Sequence, residues 1–510
     1  MRLGGGGRGA SAGRAGTRGR LATIGIGVFA VGLGVPLLFS EPIADQAVVA
    51  DDAGGGVAPG DTTAPEGASE DAAAPEATSA APVDGPATAG ATPGAATGPA
   101  AQAAATPGPG AAPLRATDRG VTAEAVKVGF LVLQVGQVEQ IGFAVGASVD
   151  EQRAAWKAFV DEVNRNGGIV GRRIEPVFAQ YDVLDYDTLR AACLALVQDG
   201  GVFAVLDGGG TFFGPAQLCV TEEHQTPLLV VGATGVTDEY LGRSGGRLYS
   251  LYMRASRTMR TFAEEVHRAG HLRGRTVGLI GDARSRAELA LLEDELGRRG
   301  YRLAHRTLFD EDTGTASAQV PVEVQEMRRK GVDAVVLAGN VVAETQFVQA
   351  ADAQGYRPRY LASDWSNNSQ DAAHQNQPAS FDGALAVTVR RSGEHLVGRP
   401  ERPVETRCRE LYERATGQRL QRGAINTSLY TLMCSTLDVF VAGARNTGPE
   451  LTRGRLAGGI AAIGPVVLSQ MGDGSFSPGK PDAGEQVRWN RWAADCRCWK
   501  PAGEFHRAPY

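Results

Sequence analysis

The sequence is poor in aromatic residues, at 6% of 510, and has no excess of positive charge. Lys and Arg number 51 against 57 Asp and Glu, a net charge of −6. Nucleic-acid binding needs a basic patch, so that class is excluded; the acidic balance serves solubility. A Walker loop, an H-E-x-x-H pair and a C-x-x-C pair are all absent. The seven histidines (His224, His267, His271, His305, His374, His395 and His506) do not cluster along the chain. The Gly-rich stretch DGGGTFFGP, 207–215, lacks the following Lys-Ser/Thr of a phosphate loop. These absences argue against an enzyme, and no cofactor or metal is expected. No cysteine lies near the N-terminus, which excludes lipid acylation there.

What is present starts with a basic flank. Residues 1–20 carry Arg2, Arg8, Arg14, Arg18 and Arg20 and no acid, and 21–39 then run without charge. That length suits a transmembrane anchor better than the shorter apolar region of a signal peptide. The arginines place the N-terminus in the cytoplasm and the rest outside. The expectation is a single-pass cell-membrane protein with an extracytoplasmic folded region; secretion after signal cleavage is the alternative. Residues 40–119 are Ala, Pro, Gly, Thr and acid, too poor in apolar bulk to offset the entropy of ordering. They read as a disordered linker.

From Val126 short apolar runs alternate with helical patterns. VKVGFLVL reads as a buried strand. Val149 to Asn166 reads as a helix, with Ala155, Phe159 and Val163 four apart and Gly-Gly as its stop. VFAVLDG and PLLVVGA continue the strands of a first set. TVGLIGD, VDAVVLAG and RYLASD belong to a second set of similar size. Strict alternation predicts α/β architecture with doubly wound parallel sheets. Two such sets predict two lobes and a cleft beyond the carboxyl ends of their strands.

Several of these stretches, in order, resemble the Leu/Ile/Val-binding (type I periplasmic binding protein) family of ABC-transporter substrate-binding proteins. They are VNRNGGIVGRRIEPVFAQYD, VFAVLDGGGTFFGPAQLCVTEEHQTPLLVVGATG, QAADAQGYRPRYLASD, FDGALAVT and TSLYTLMCSTLDVFVAGAR. The likeness covers roughly 124–500. It implies two lobes joined by a three-strand hinge: lobe one 124–253 plus 391–465, lobe two 259–389 plus 466–510. It also implies capture of a small solute for ABC permease subunits. The alternative is a surface ligand-sensing receptor of the same fold without transport.

The family holds a ligand carboxylate with a hydroxyl residue and backbone N–H groups. Carried over, this puts Thr211 and Thr234 at the hydroxyl positions and Gly232 as the residue whose backbone carbonyl accepts from an ammonium. Asp364 becomes the acidic partner of that ammonium, and Trp365 a cap on the cleft. Phe212 or its neighbour Phe213 is a further candidate contact. The bland alternatives are a tight turn for Gly208–Gly210, a capping role for Thr234, a solvated loop acid for Asp364 and core packing for Phe212. Three loops depart from the family pattern: LQVGQVEQIGF, NVVAE and RASRTMR. They leave the solute open between an amino acid and an amide, urea-like or aromatic compound.

Six cysteines in an exported chain suit disulfides. Helices of successive βα units lie side by side, so Cys193 is expected to pair with Cys219 and Cys408 with Cys434. Cys496 and Cys498 remain open between a local pair, weak metal binding and free thiols.

Overall fold

The computed structural model describes residues 113–140, 143, 145–232, 235–310, 313–339 and 341–510. The expected basic flank (1–20), anchor (21–39), most of the linker and Thr234 lie outside the described residues.

The first sheet holds β1 (Ala125–Leu133), β2 (Arg173–Tyr181), β3 (Ala204–Asp207), β4 (Leu228–Val230) and β5 (Leu248–Ser250), all parallel in the order β2-β1-β3-β4-β5. Starting in the middle and winding out both ways brings the ends of β1 and β3 together, with Leu131 opposite Asp207. The helix Val149–Arg165 starts at a capping box: Ser148 Oγ accepts the Glu151 N–H at 3.2 Å, and Glu151 Oε2 accepts the Ser148 N–H at 2.8 Å. Its Trp156 is fully buried against Phe130, ring centroids 4.6 Å apart. The chain then turns at Gly168, whose φ is +63°. A Cβ there would lie 2.0 Å from the Arg172 carbonyl, so no other residue fits.

The second sheet is built from β6 (Val277–Asp282), β7 (Leu303–Phe309), β8 (Ala334–Leu337), β9 (Arg359–Ala362) and β10 (Leu385–Thr388). After the small ribbon β11 (Pro465–Val466) and β12 (Gly474–Ser475), the chain adds β13 (Gln486–Ala493), β14 (Cys498–Pro501) and β15 (His506–Arg507). The order is β14-β13-β10-β9-β8-β6-β7, with β15 beside β13. The core strands are parallel, while β13 and β14 run antiparallel along one side. Alternating βα patterns give no warning of this antiparallel tail.

Three stretches of chain cross between the lobes and pair into a hinge. The Ser250 N–H donates to Pro481 O at 3.0 Å and the Ala483 N–H to Ser250 O at 2.8 Å. The Gly472 N–H donates to Val389 O at 2.7 Å and the Arg391 N–H to Gln470 O at 2.9 Å. Between them lies Asp482, fully buried. It accepts from the Arg257 guanidinium and from the Arg254 N–H at 3.2 Å.

Residues 113–119, counted by composition into the linker, are seated on lobe one. Arg115 pairs with Glu450 at 3.1 Å, and the buried Arg172 donates to Arg115 O at 3.0 Å. Backbone partners order a segment whose side chains carry little apolar bulk. Disulfides join Cys193 to Cys219, Cys408 to Cys434 and Cys496 to Cys498. One helix among the described residues, Ile425–Thr447, is long and apolar enough to cross a membrane, but it is mostly buried as a core helix of lobe one.

Candidate functional site

A cavity of about 870 Å³ lies between the strand-end loops of the two lobes. Part of its lobe-one wall comes from the turn after β3. Asp207, the last residue of that strand, is buried and folds the turn around its carboxylate. Oδ1 accepts the Gly209 N–H at 3.1 Å, and Oδ2 accepts those of Gly210 at 3.1 Å and Phe212 at 3.3 Å. Burial pushes the Asp207 carboxyl up to about 6, against the opposing pull of these N–H groups. The buried Tyr181 hydroxyl donates to Asp207 Oδ1 at 3.3 Å and lies 2.6 Å from Thr211 Oγ1. Burial also raises the Tyr181 phenol well above its ordinary value. Thr211 is thereby held at the cavity wall.

The neighbouring candidates divide. Phe212 faces the core, 1% exposed, edge-on to Tyr181 at 5.6 Å. Phe213 is the one that faces the cavity, T-shaped on Tyr186 at 5.8 Å. Sequence alone cannot say which of two adjacent phenylalanines points outward. Gly232 does not line the cavity; a Cβ there would meet Ser250 Oγ at 2.2 Å, so packing demands its glycine.

Lobe two supplies Trp365 and Arg284. The Trp365 indole N–H donates to Ser285 Oγ at 3.0 Å, and its ring lies over Gly235 of lobe one. The Arg284 guanidinium lies 4.6 Å from the Tyr186 ring centroid and 5.0 Å from that of Phe213, a cation–π contact across the cleft. Asp364, beside Trp365, turns away from the cavity. Its Oδ1 accepts from Thr388 at 2.6 Å and from Ser369, and its Oδ2 accepts the Val389 N–H at 2.6 Å. A carboxylate with three partners in its own lobe is committed to structure, so the expected ammonium contact gives way to hinge support.

The hinge contributes Arg390, which sequence reasoning passed over. Its side chain lines the cavity, is 8% exposed, and its Nε has no hydrogen-bond partner. The available signal was the pair Arg390-Arg391, one residue after the strand LAVT that leads into the crossing.

Other constellations among the described residues carry no chemistry. Cys219 lies with Glu223 and His224, and Cys408 and Cys434 with Asp438. All three sulfurs are in disulfides and offer no thiolate to a metal. The pentapeptide GRSGG, 242–246, has the spacing of a nucleophile elbow, but Ser244 is buried at the end of the helix Asp238–Arg243 and donates to Leu241 O at 2.8 Å. An elbow needs an exposed serine between strand and helix.

The fold is shared with solved solute-binding proteins of ABC transporters. One from Rhodopseudomonas palustris in complex with 3,4-dihydroxybenzoic acid is 15% identical with a TM-score of 0.56, covering 75% of this chain and 98% of its own. A leucine-binding protein from Thermotoga maritima is 14% identical, TM-score 0.56, over 76% and 99%. A fatty-acid ABC transporter substrate-binding protein from Thermomonospora curvata is 14% identical, TM-score 0.55, over 78% and 95%. No curated sequence matches the chain. The model of the family described as periplasmic binding protein matches residues 125–480. With that span, two doubly wound lobes and a three-strand hinge, the chain belongs to the periplasmic binding protein family and has the type I fold of its solute-binding members.

Proposed function

We propose that this protein captures a small organic solute outside the cytoplasm and delivers it to the permease subunits of an ABC importer. One observation carries the reading: the cavity is walled by both lobes, and groups of lobe two rest on lobe one across its mouth. Trp365 lies against Gly235, and Arg284 lies over Tyr186 and Phe213. A solute held there contacts both lobes, so its binding is coupled to hinge closure. Three disulfides fit an oxidising, extracytoplasmic compartment. Membrane attachment through 21–39 belongs to the same proposal.

The wall chemistry supports a solute with an apolar or flat body. Tyr186, Phe213 and Trp365 supply aromatic surface, and Thr211 a hydroxyl. Structural neighbours bind leucine, 3,4-dihydroxybenzoic acid and a fatty acid, so the solute is sought among amino acids, their amides and organic acids. The test is mass spectrometry of compounds released from the purified full-length protein, followed by calorimetry with each. A compound that binds wild type and loses about 10-fold or more in affinity in Trp365→Ala supports the reading. Affinity indifferent to Trp365 places the binding site elsewhere.

A further inference from the structure

We infer that Arg390 is the anion anchor of the cleft, and that the captured solute is an organic acid whose carboxylate docks on its guanidinium. The inference rests on the solute-capture reading and specifies what is captured.

A buried guanidinium is expensive unless a carboxylate or a full set of acceptors meets it. The other hinge-side arginines on the cavity wall obey this. Arg391 Nε lies 3.2 Å from Glu405 Oε1, and Arg422 Nε lies 3.7 Å from Glu401 Oε1. Nearby, the buried Arg488 pairs with Glu394. Arg390 departs from the pattern. It is more buried than Arg391 or the exposed Arg422, yet among the described residues no carboxylate comes within 4.0 Å of its guanidinium, and Nε meets no acceptor. Asp364 and Asp371 feel its charge without reaching it. Asp364 is already occupied by Ser369, Thr388 and Val389, and Asp371 accepts the Trp499 N–H at 2.7 Å. Among the described residues its one aromatic neighbour is Tyr252, whose ring centroid lies 5.4 Å from the guanidinium carbon and whose hydroxyl feels its charge; a neutral phenol is a weaker partner than an anion.

The backbone holds this unpaired charge in place. The Arg390 N–H donates to Thr388 Oγ1 at 2.9 Å, and the residue pairs with Met471 of the adjacent crossing. The anchor therefore sits on the hinge itself, where either lobe can close over a group bound to it. A planar guanidinium with parallel donors matches a carboxylate in two-point contact. A single positive charge suits a monoanion better than a phosphate dianion, since Asp282, Glu288 and Asp371 share the cavity wall.

The experiment is calorimetry on the full-length protein with three acids and their neutral amides: 4-hydroxybenzoate and 4-hydroxybenzamide, octanoate and octanamide, leucine and leucinamide. The expected result is that at least one acid binds and its amide binds roughly 10- to 150-fold more weakly, the worth of a hydrogen bond to a charged group. Arg390→Gln brings the acid down to the level of the amide, and Arg390→Lys recovers part of the loss. Ligand-free Arg390→Gln melts at or above the wild-type temperature, because an uncompensated buried charge has gone. Equal affinity for acid and amide, unchanged acid binding in Arg390→Gln, no binding by any of the three acids, or a lower melting temperature for that variant each overturns the anchor. An amide that binds through Trp365 but ignores Arg390 sinks the anchor alone and leaves solute capture standing. Binding of every probe that ignores both residues sinks both.

Discussion

Asp364 Oδ2 accepts the backbone N–H of Val389 at 2.6 Å, fastening the loop after β9 to the hinge crossing one residue before Arg390. The Thr388 and Ser369 hydroxyls complete the clasp on Oδ1. Burial pushes the Asp364 carboxyl up from its ordinary value, and these three donors pull it back. An acid at a strand end of the second lobe is thus a positioning residue: it fixes the backbone from which Arg390 projects.

Asp364→Ala is therefore expected to act on stability first. It strands three buried donors, at a cost of about 3 kcal/mol. Denaturant unfolding reads the loss as a lower midpoint at unchanged slope. Asp364→Asn keeps one acceptor oxygen and recovers part of the stability. If Asp364→Ala leaves stability untouched and selectively removes amine-bearing ligands, the carboxylate is an ammonium partner after all.

Across the cleft, Trp365 of lobe two packs on Gly235 of lobe one. A Cβ on Gly235 would sit 2.4 Å from the Trp365 ring, and φ there is +103°. Gly235→Ala thus meets both a clash and a backbone penalty of about 1–2 kcal/mol. The clash exists only while Trp365 lies over the lobe-one loop. Solute affinity is expected to fall about 10-fold or more, with a change in Trp365 fluorescence, and the added loss of melting temperature is small. An unchanged dissociation constant would show that closure does not use this contact.

How much of this was legible in the sequence depends on how local each signal was. The sheets, the Gly167-Gly168 stop and the helices carrying Cys193, Cys219, Cys408 and Cys434 follow from periodicity and punctuation a few residues long. Side-chain direction in irregular loops does not. Phe212 and Phe213 are identical neighbours, and only the Asp207-centred turn decides that Phe213 faces the cavity. Asp364 looked like a ligand because its three partners come from the turn after a 3₁₀ segment and from the end of a strand that starts about twenty residues later. Arg390 escaped notice because its importance lies in a missing neighbour, which no local pattern records. The antiparallel strands β13 and β14 lack the βα rhythm that made the rest readable.

The last prediction concerns pH. His374 is fully buried, stacked on Phe381 at 5.1 Å, and its Nδ1 accepts the Trp499 indole N–H at 3.4 Å. Burial lowers its pKa from 6.5 to about 4. A folded-state value below the unfolded one means that the unfolded chain takes up the proton first. The stability tied to neutral His374 is whole above pH 6.5, is lost as pH falls, and is gone by about pH 4, a change of about 3 kcal/mol. Asp207 and Asp371 work in the opposite sense. Burial raises both to about 6, so their cost is present above pH 6 and is relieved as pH falls towards 3.8. The wild-type profile mixes these terms; the difference between wild type and His374→Phe isolates one. The variant loses the Trp499 acceptor, a pH-independent cost of about 1 kcal/mol. Its stability relative to wild type should rise as pH falls from 6.5 to 4 and level off below. Melting curves of both proteins across that range check it, and a difference that stays flat with pH would show that burial does not shift the His374 pKa on folding.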